Sequence, residues 1–414
     1  MLILMAAGLL LAIQCRGQLP KGAETNGATF HPKYVNPTPG QIPIAVWGAV
    51  TDKTLNEEWF RNIRGCGANL AISALTDSAA IVRSLELAQK ADVGVILFSW
   101  AIHNTIKAPA LIRAIRGYKS LAGYYLADEP TADKFSSLLA VRNMVYTMDT
   151  THLAYVNLFP IVAPRRIQAA SYTDYVTKSV RELDRPIISY DNYPICETDG
   201  RITVRSNFYQ NLEEVSQVSR STGRPFWAYG MIKSHLVYPE PTVEHLRYET
   251  FNALAYGAQG IQYYRYMVYD SENPDSTIAP AMENGRLTVV WDRLRTINAE
   301  IQSYADVFLG ATVVNTGHLG TIPEGCTRLT RLPAPFTRIR TGREGVLVSQ
   351  MVNNGTNYLV ITNHSLEETQ NIRVDWNGTD RSHRVQRVYG DGVTQPIRPG
   401  RITLPPAGYI ILTY

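Results

Sequence analysis

The stretch Leu121–Thr131, LAGYYLADEPT, decides how the chain is read. Its first seven residues are apolar or aromatic, and the run then stops in two adjacent carboxylates and a proline. A strand apolar on both faces belongs to a parallel sheet covered on each side. Acid at its carboxyl end stands where such barrels place their reactive groups.

Working outward, seven more runs share this character: IPIAVWG from Ile42, ANLAIS, VGVILFSW, HLAYVNLF, RPIISYD, RPFWAYGM and GIQYYRYM. Between them lie segments with apolar residues at three and four spacing, such as TLNEEWFRNIRGCG and PTVEHLRYETFNALAYGAQG. The second opens on Pro241 and Thr242 and closes on glycines, as helices do. Eight strand and helix pairs over roughly 270 residues have the size and rhythm of a (β/α)8 TIM barrel, an α/β fold expected over residues 39–309. An open doubly wound sheet would carry a glycine turn for phosphate after its first strand. GCGANL at Gly65 lacks the third glycine and precedes a strand.

Past Leu309 the chain changes to short strands broken by turns: GVLVSQMVNNGTNYLVITNHS, IRVDW, HRVQRVYGDG and RITLPPAGYIILTY. This predicts a C-terminal antiparallel β-sandwich over residues 310–414. At the other end, MLILMAAGLLLAIQC is too short to span a bilayer and turns polar at RGQLPKGAETNG. Residues 1–15 read as a signal peptide or lipoprotein leader with a lipid anchor at Cys15, and 16–38 as a linker. No Lys or Arg precedes the apolar run, and Gln14 is larger than lipoprotein processing prefers. The expected destination is the periplasm, cell envelope or exterior. Cys66, Cys196 and Cys326 are too few for a disulfide framework and read as small buried hydrophobes.

The 414 residues carry a net charge of +4, from 40 basic and 36 acidic residues, with no basic cluster. That excludes the electrostatic footprint of a nucleic-acid partner. The 24 tyrosines and 6 tryptophans supply flat amphipathic rings that suit sugars.

Period-two counting puts Gly123, Tyr125, Ala127 and Glu129 on one face of the fourth strand, and Tyr124, Leu126 and Asp128 on the other. Small residues suit the crowded lumen, so Glu129 is expected inward, with Asp128 in support. In RPIISYDNYP the polar Ser189 marks Ile187, Ser189, Asp191 and Tyr193 as the lumen face, which makes Glu129 and Asp191 converge. Two inward carboxylates are what glycoside hydrolysis requires, one to protonate the leaving oxygen and one to attack or activate water. The competing reading is a helix cap by Asp128 or Asp133, and a turn acid at Asp191. Candidate sugar contacts are the rings and amide at strand ends: Trp47, Trp100, Asn157, Tyr193, Trp227, Tyr229, Tyr264 and Tyr266. Core packing is the alternative for each. His103, His235 and His364 show no metal-ligand spacing, and HExxH, CxxC and GxSxG are absent, so neither metal nor cofactor is expected.

From Ile42 to Met267 the chain resembles the glycoside-hydrolase barrels of the clan that includes the family 42 β-galactosidases. The resemblance rests on GYYLADEP at Gly123–Pro130, on the eight strands in order, and on the tail LPPAGYIILTY. It implies an oligo- or polysaccharide substrate with a β linkage, and Glu129 as acid/base catalyst. It also implies a nucleophilic glutamate ending the seventh strand. There RPFWAYGMIKSHLVYPEP offers Trp227, Tyr229 and Lys233, with no carboxylate before Glu240. SYDNYP is similar to the Tyr-Asp pair on the sixth strand of chitinase-like barrels, in which the substrate's own acetamido group attacks. Three readings stay open: a β-glycosidase with Glu129 as donor, a substrate-assisted hydrolase, and a catalytically silent sugar-binding barrel.

Overall fold

In the computed structural model, eight parallel strands close on themselves in chain order: β1 (Ile44–Trp47), β2 (Leu70–Ala74), β3 (Gly94–Phe98), β4 (Leu121–Asp128), β5 (Leu153–Leu158), β6 (Ile188–Tyr190), β7 (Phe226–Met231) and β8 (Gly260–Tyr264). The structure describes residues 31–378 and 385–414. The leader, Cys15 and most of the 16–38 linker lie outside the described residues. Eight helices alternate with the strands: α1 (Glu57–Gly65), α2 (Ser78–Lys90), α3 (Ala108–Ile115), α4 (Phe135–Tyr146), α5 (Tyr172–Leu183), α6 (Phe208–Thr222), α7 (Val243–Ala255) and α8 (Val289–Ser303).

Local chemistry sets their ends. Asn56, Asp77, Ser171, Thr242 and Thr288 each accept a backbone N–H at the start of α1, α2, α5, α7 and α8. These caps satisfy donors that a helix cannot satisfy itself. Gly67 turns α1 into β2 with φ +83, and a Cβ there would stand 2.7 Å from the Asn298 side chain. Only glycine meets both demands.

The apolar residues separate into two layers. Tyr124, Leu126, Tyr190 and Ile261 pack outward against the helices. Ala45, Ile72, Ile96, Tyr125, Tyr155, Ile187 and Trp227 fill the lumen, with Tyr34 packed against them. Trp227 occupies so much of the floor that any Cβ at Gly260 would sit 2.7 Å from its ring.

Along β4 the pairing with β5 runs Tyr125 to Tyr155 and then Ala127 to Val156, skipping Leu126. This bulge shifts the inward and outward alternation by one residue from Ala127 onward.

Nine strands follow: β9 (Thr312–Leu319), β10 (Phe336–Arg340), β11 (Val346–Asn353), β12 (Thr356–Asn363), β13 (Gln370–Trp376), β14 (Gln386–Val388), β15 (Thr394–Pro396), β16 (Gly400–Leu404) and β17 (Tyr409–Thr413). They form two antiparallel sheets, one of six strands and one of three. Ile361, Leu412 and Val348 of one sheet meet Ile372, Val374 and Leu404 of the other in their own core. This is a β-sandwich. Its outer face is welded to the barrel. Tyr409 stacks on Phe251 of α7 at 3.9 Å and donates to Glu300 at 2.9 Å, while Thr362 donates to Asn252 at 2.6 Å.

Candidate active site

The carboxyl ends of β4, β5 and β6 are neighbours in the barrel and carry Asp128, Asn157 and Asp191. Asn157 is buried, and its amide nitrogen donates to Asp128 Oδ1 at 3.3 Å and to Asp191 Oδ1 at 2.9 Å. Its carbonyl oxygen accepts from Ser189 at 2.9 Å, which fixes the amide's orientation. Held by one nitrogen at 3.3 and 2.9 Å, the two Oδ1 atoms are close neighbours across the mouth.

The expected roles of the two β4 acids are corrected here. Parity placed Asp128 outward, but the bulge turns it to the barrel axis, where it also accepts from the Tyr125 hydroxyl at 2.8 Å. It caps no helix: Lys134 precedes α4, without a side-chain cap bond. Glu129 reaches the mouth through a left-handed backbone, φ 45, that a bulky residue rarely adopts. Its N–H donates to Asn157 O at 2.8 Å, so the distorted backbone is fastened to β5. Strain of this kind gathers at functional sites.

Electrostatics follow from this crowding. Burial, then the charge of Asp128, pushes the Glu129 carboxyl up to about 7, and Arg166 opposes the shift. Burial and the charges of Glu129 and Asp128 raise Asp191 well above the carboxylate range, against the Asn157 hydrogen bond. Asp128 is itself raised by burial although its side chain is open to solvent, because the concave mouth surrounds it with protein. Three acids so placed cannot all be ionised at neutral pH. Beneath them Tyr155 bonds Ser189 at 2.7 Å, Tyr229 at 3.3 Å and Gln262, a buried polar floor without charge.

Opposite the acids, strands β1 and β8 build an aromatic wall. Trp47 lies 5.2 Å from Tyr264, which lies 5.9 Å from Tyr193, and all three are half-buried. Trp100 is 56% exposed, edge-on to Phe98 at 5.0 Å, and Phe98 meets Tyr125. Two expected contacts are corrected. Trp227 is fully buried in the floor, and Tyr266 is fully buried in the outer layer against Trp59 at 5.8 Å. Tyr229 is 6% exposed and serves the floor. Glu240 is removed as well, since it pairs with Arg293 of α8. The sequence reading missed Tyr238 and His235, which extend the wall from the loop after β7.

That loop also settles what replaces a seventh-strand carboxylate. Lys233 follows β7 and is buried, with Glu272 at 2.7 Å, and Glu272 also pairs with Arg265. Burial and the Arg265 charge push Lys233 down to about 8. Glu272 is therefore a carboxylate near the end of β7 that is already held by two cations.

No family model matches the sequence, and no curated protein matches it. Solved structures match the whole architecture. A β-galactosidase from Bacillus circulans sp. alkalophilus is 11% identical at a TM-score of 0.60, covering 90% of this chain and 99% of that one. A GH42 β-galactosidase from G. stearothermophilus is 8% identical at 0.60, covering 92% and 99%. A family 39 glycoside hydrolase from Bacteroides cellulosilyticus is 12% identical at 0.53, covering 90% and 81%. The chain shares with them a TIM barrel followed by a C-terminal sandwich; at these identities the likeness is one of fold.

Proposed function

We propose that the protein is a glycoside hydrolase in which Glu129 donates the proton to the leaving oxygen, Asp191 faces the anomeric centre, and Asp128 holds the pair through Asn157. One observation carries this reading: acids from β4 and β6 share a single amide donor, and burial together with the charge of Glu129 on Asp191 makes Glu129 and Asp191 titrate together and hold a proton between them near neutrality. Three mutually repelling carboxyls disfavour the fold, a cost expected where acids are held for chemistry.

The test is kinetic. Glu129→Gln keeps shape but removes the transferable proton, so turnover of an unactivated glycoside should fall about 10²- to 10⁴-fold. Bond breaking in an activated aryl glycoside should suffer far less. An unchanged rate on the unactivated substrate refutes the assignment, and no turnover by the wild type across a broad glycoside panel, with sugar affinity retained, returns the silent reading.

The substrate-assisted variant is favoured by one feature, that β7 ends in Lys233 and its ion pair where a nucleophile would stand. It requires 2-acetamido aryl glycosides to be cleaved and their 2-hydroxy counterparts to be spared.

A further inference from the structure

The sandwich and the barrel meet at a buried knot of dissimilar side chains that the reaction does not use. Glu213 of α6 and His318 of β9 are buried, and Cys326, in the loop after β9, is half-buried. One ligand atom from each lies within 4.8 Å of the others. Tyr256, just past α7, completes the group: its hydroxyl lies 2.8 Å from His318 Nε2 and 3.2 Å from Glu213 Oε2.

We propose that Glu213, Tyr256, His318 and Cys326 form a binding site for a zinc-type divalent ion that clamps the sandwich onto the barrel. Thiolate, imidazole and oxygen donors in one closed group suit a borderline-soft ion and give a structural, four-coordinate site. Donors at zinc distances stand about 3.3–3.8 Å from one another, so the Glu213, His318 and Cys326 atoms would close by about an ångström while the Tyr256 hydroxyl, now 2.8 Å from His318 Nε2, swings out by about half an ångström.

The surroundings support the same conclusion. His318 Nδ1 lies 2.8 Å from His364 Nε2, and His364 Nδ1 lies 3.2 Å from the Glu344 carbonyl. If His364 donates to that carbonyl, it accepts from His318 Nδ1, and His318 Nε2 turns its lone pair toward the knot, where the Tyr256 hydroxyl lies 2.8 Å away. Relays of this kind orient ligating histidines. The Thr327 N–H donates to both Glu213 oxygens at 3.1 Å, which positions that carboxylate beside the Cys326 loop. Gly325, φ +73, lets the loop close on α6, where a Cβ would meet Gln210 at 2.7 Å. Ion binding would release the Cys326 thiol proton to solvent, as coordinated thiols are deprotonated.

The experiment uses the full-length chain, stripped with chelator and titrated with zinc, with magnesium as control. One zinc should bind per chain, and the melting temperature should rise by about 3 °C at a hundredfold excess over Kd. Cobalt in place of zinc should give a thiolate charge-transfer band. Cys326→Ser should abolish the band and the zinc-dependent shift while folding normally, and His364→Ala should weaken affinity about 10- to 100-fold. A purely hydrogen-bonded latch would bind no stoichiometric zinc and show no shift, which overturns the proposal. So would a band or shift that survives in both Cys326→Ser and His318→Gln.

Discussion

Glu129→Gln should make the protein more stable, and only above mildly acidic pH. The folded chain holds Glu129 at about 7 against an ordinary 4.5. Between those values the native state keeps a proton that the unfolded chain has released. Stability therefore falls as pH rises through this window and stays lowered above it. The gap corresponds to about 3 kcal/mol at pH 8 and to less than about 0.5 kcal/mol at pH 4.5. Glutamine removes this term, and no hydrogen bond from the Glu129 carboxyl to the protein is lost among the described residues. It also relieves Asp191, on which the Glu129 charge bears most strongly after burial. Urea unfolding at the two pH values measures the difference, and thermal unfolding at pH 8 should show a rise of about 3–4 °C for a chain of this length. If the variant is equally stable, or less stable, at pH 8, then the mouth does not disfavour the charged carboxyl and the electrostatic basis of the donor assignment is wrong.

Trp100→Ala should leave stability within about 0.5 kcal/mol, because the ring is 56% exposed, yet raise KM about 5- to 20-fold on oligosaccharides. Glu249 of α7, buried and pushed up to about 8 by that burial, accepts the Met231 N–H at 2.9 Å. Glu249→Ala should cost about 2–4 kcal/mol in urea unfolding by leaving that donor bare, and Glu249→Gln should be tolerated. Truncation after Leu309 bares the α7 face on which Tyr409 stacks, so the barrel alone should aggregate; a soluble, stable barrel with selectively lost turnover would contradict the supporting role given to the sandwich.

The eight strands were legible because each is an apolar run of the right length, and the helices between them carry threefold and fourfold spacing and side-chain caps. The inward face of β6 was legible too, since a polar Ser189 in an apolar run has few places to point. The end of β4 was not: Tyr124, Tyr125 and Leu126 keep the expected faces, but the bulge at Leu126 arises from how β4 registers against β5 and leaves no mark in composition. Aromatic residues were the other limit. Trp227 and Trp100 look alike in sequence, yet one fills the floor and the other stands open at the mouth, a difference set by strand depth. Glu213, His318 and Cys326 could not be connected at all, because no short spacing links residues brought together by the docking of a sandwich on a barrel.

The placement of charge around the barrel gives the site a direction. Asp128, Asn157 and Asp191 stand on three adjacent strands, β4 to β6, while β8 and β1 present Tyr264 and Trp47. A pyranose has an apolar C–H face and an edge of oxygens, and these two sides of the mouth match them. In the proposed reaction, a sugar with its face on the Trp47 and Tyr264 wall would turn its glycosidic oxygen toward Glu129 and its anomeric carbon toward Asp191. The Lys233–Glu272–Arg265 cluster, after β7 and β8, then borders the cleft between wall and acids. Both cations are buried, so their charge acts on neighbouring side chains and not as an exposed edge. The proposed placing of the reacting acids on β4 and β6 is consistent with that cluster, since a carboxylate at the end of β7 would be drawn into the ion pairs and lost as a nucleophile.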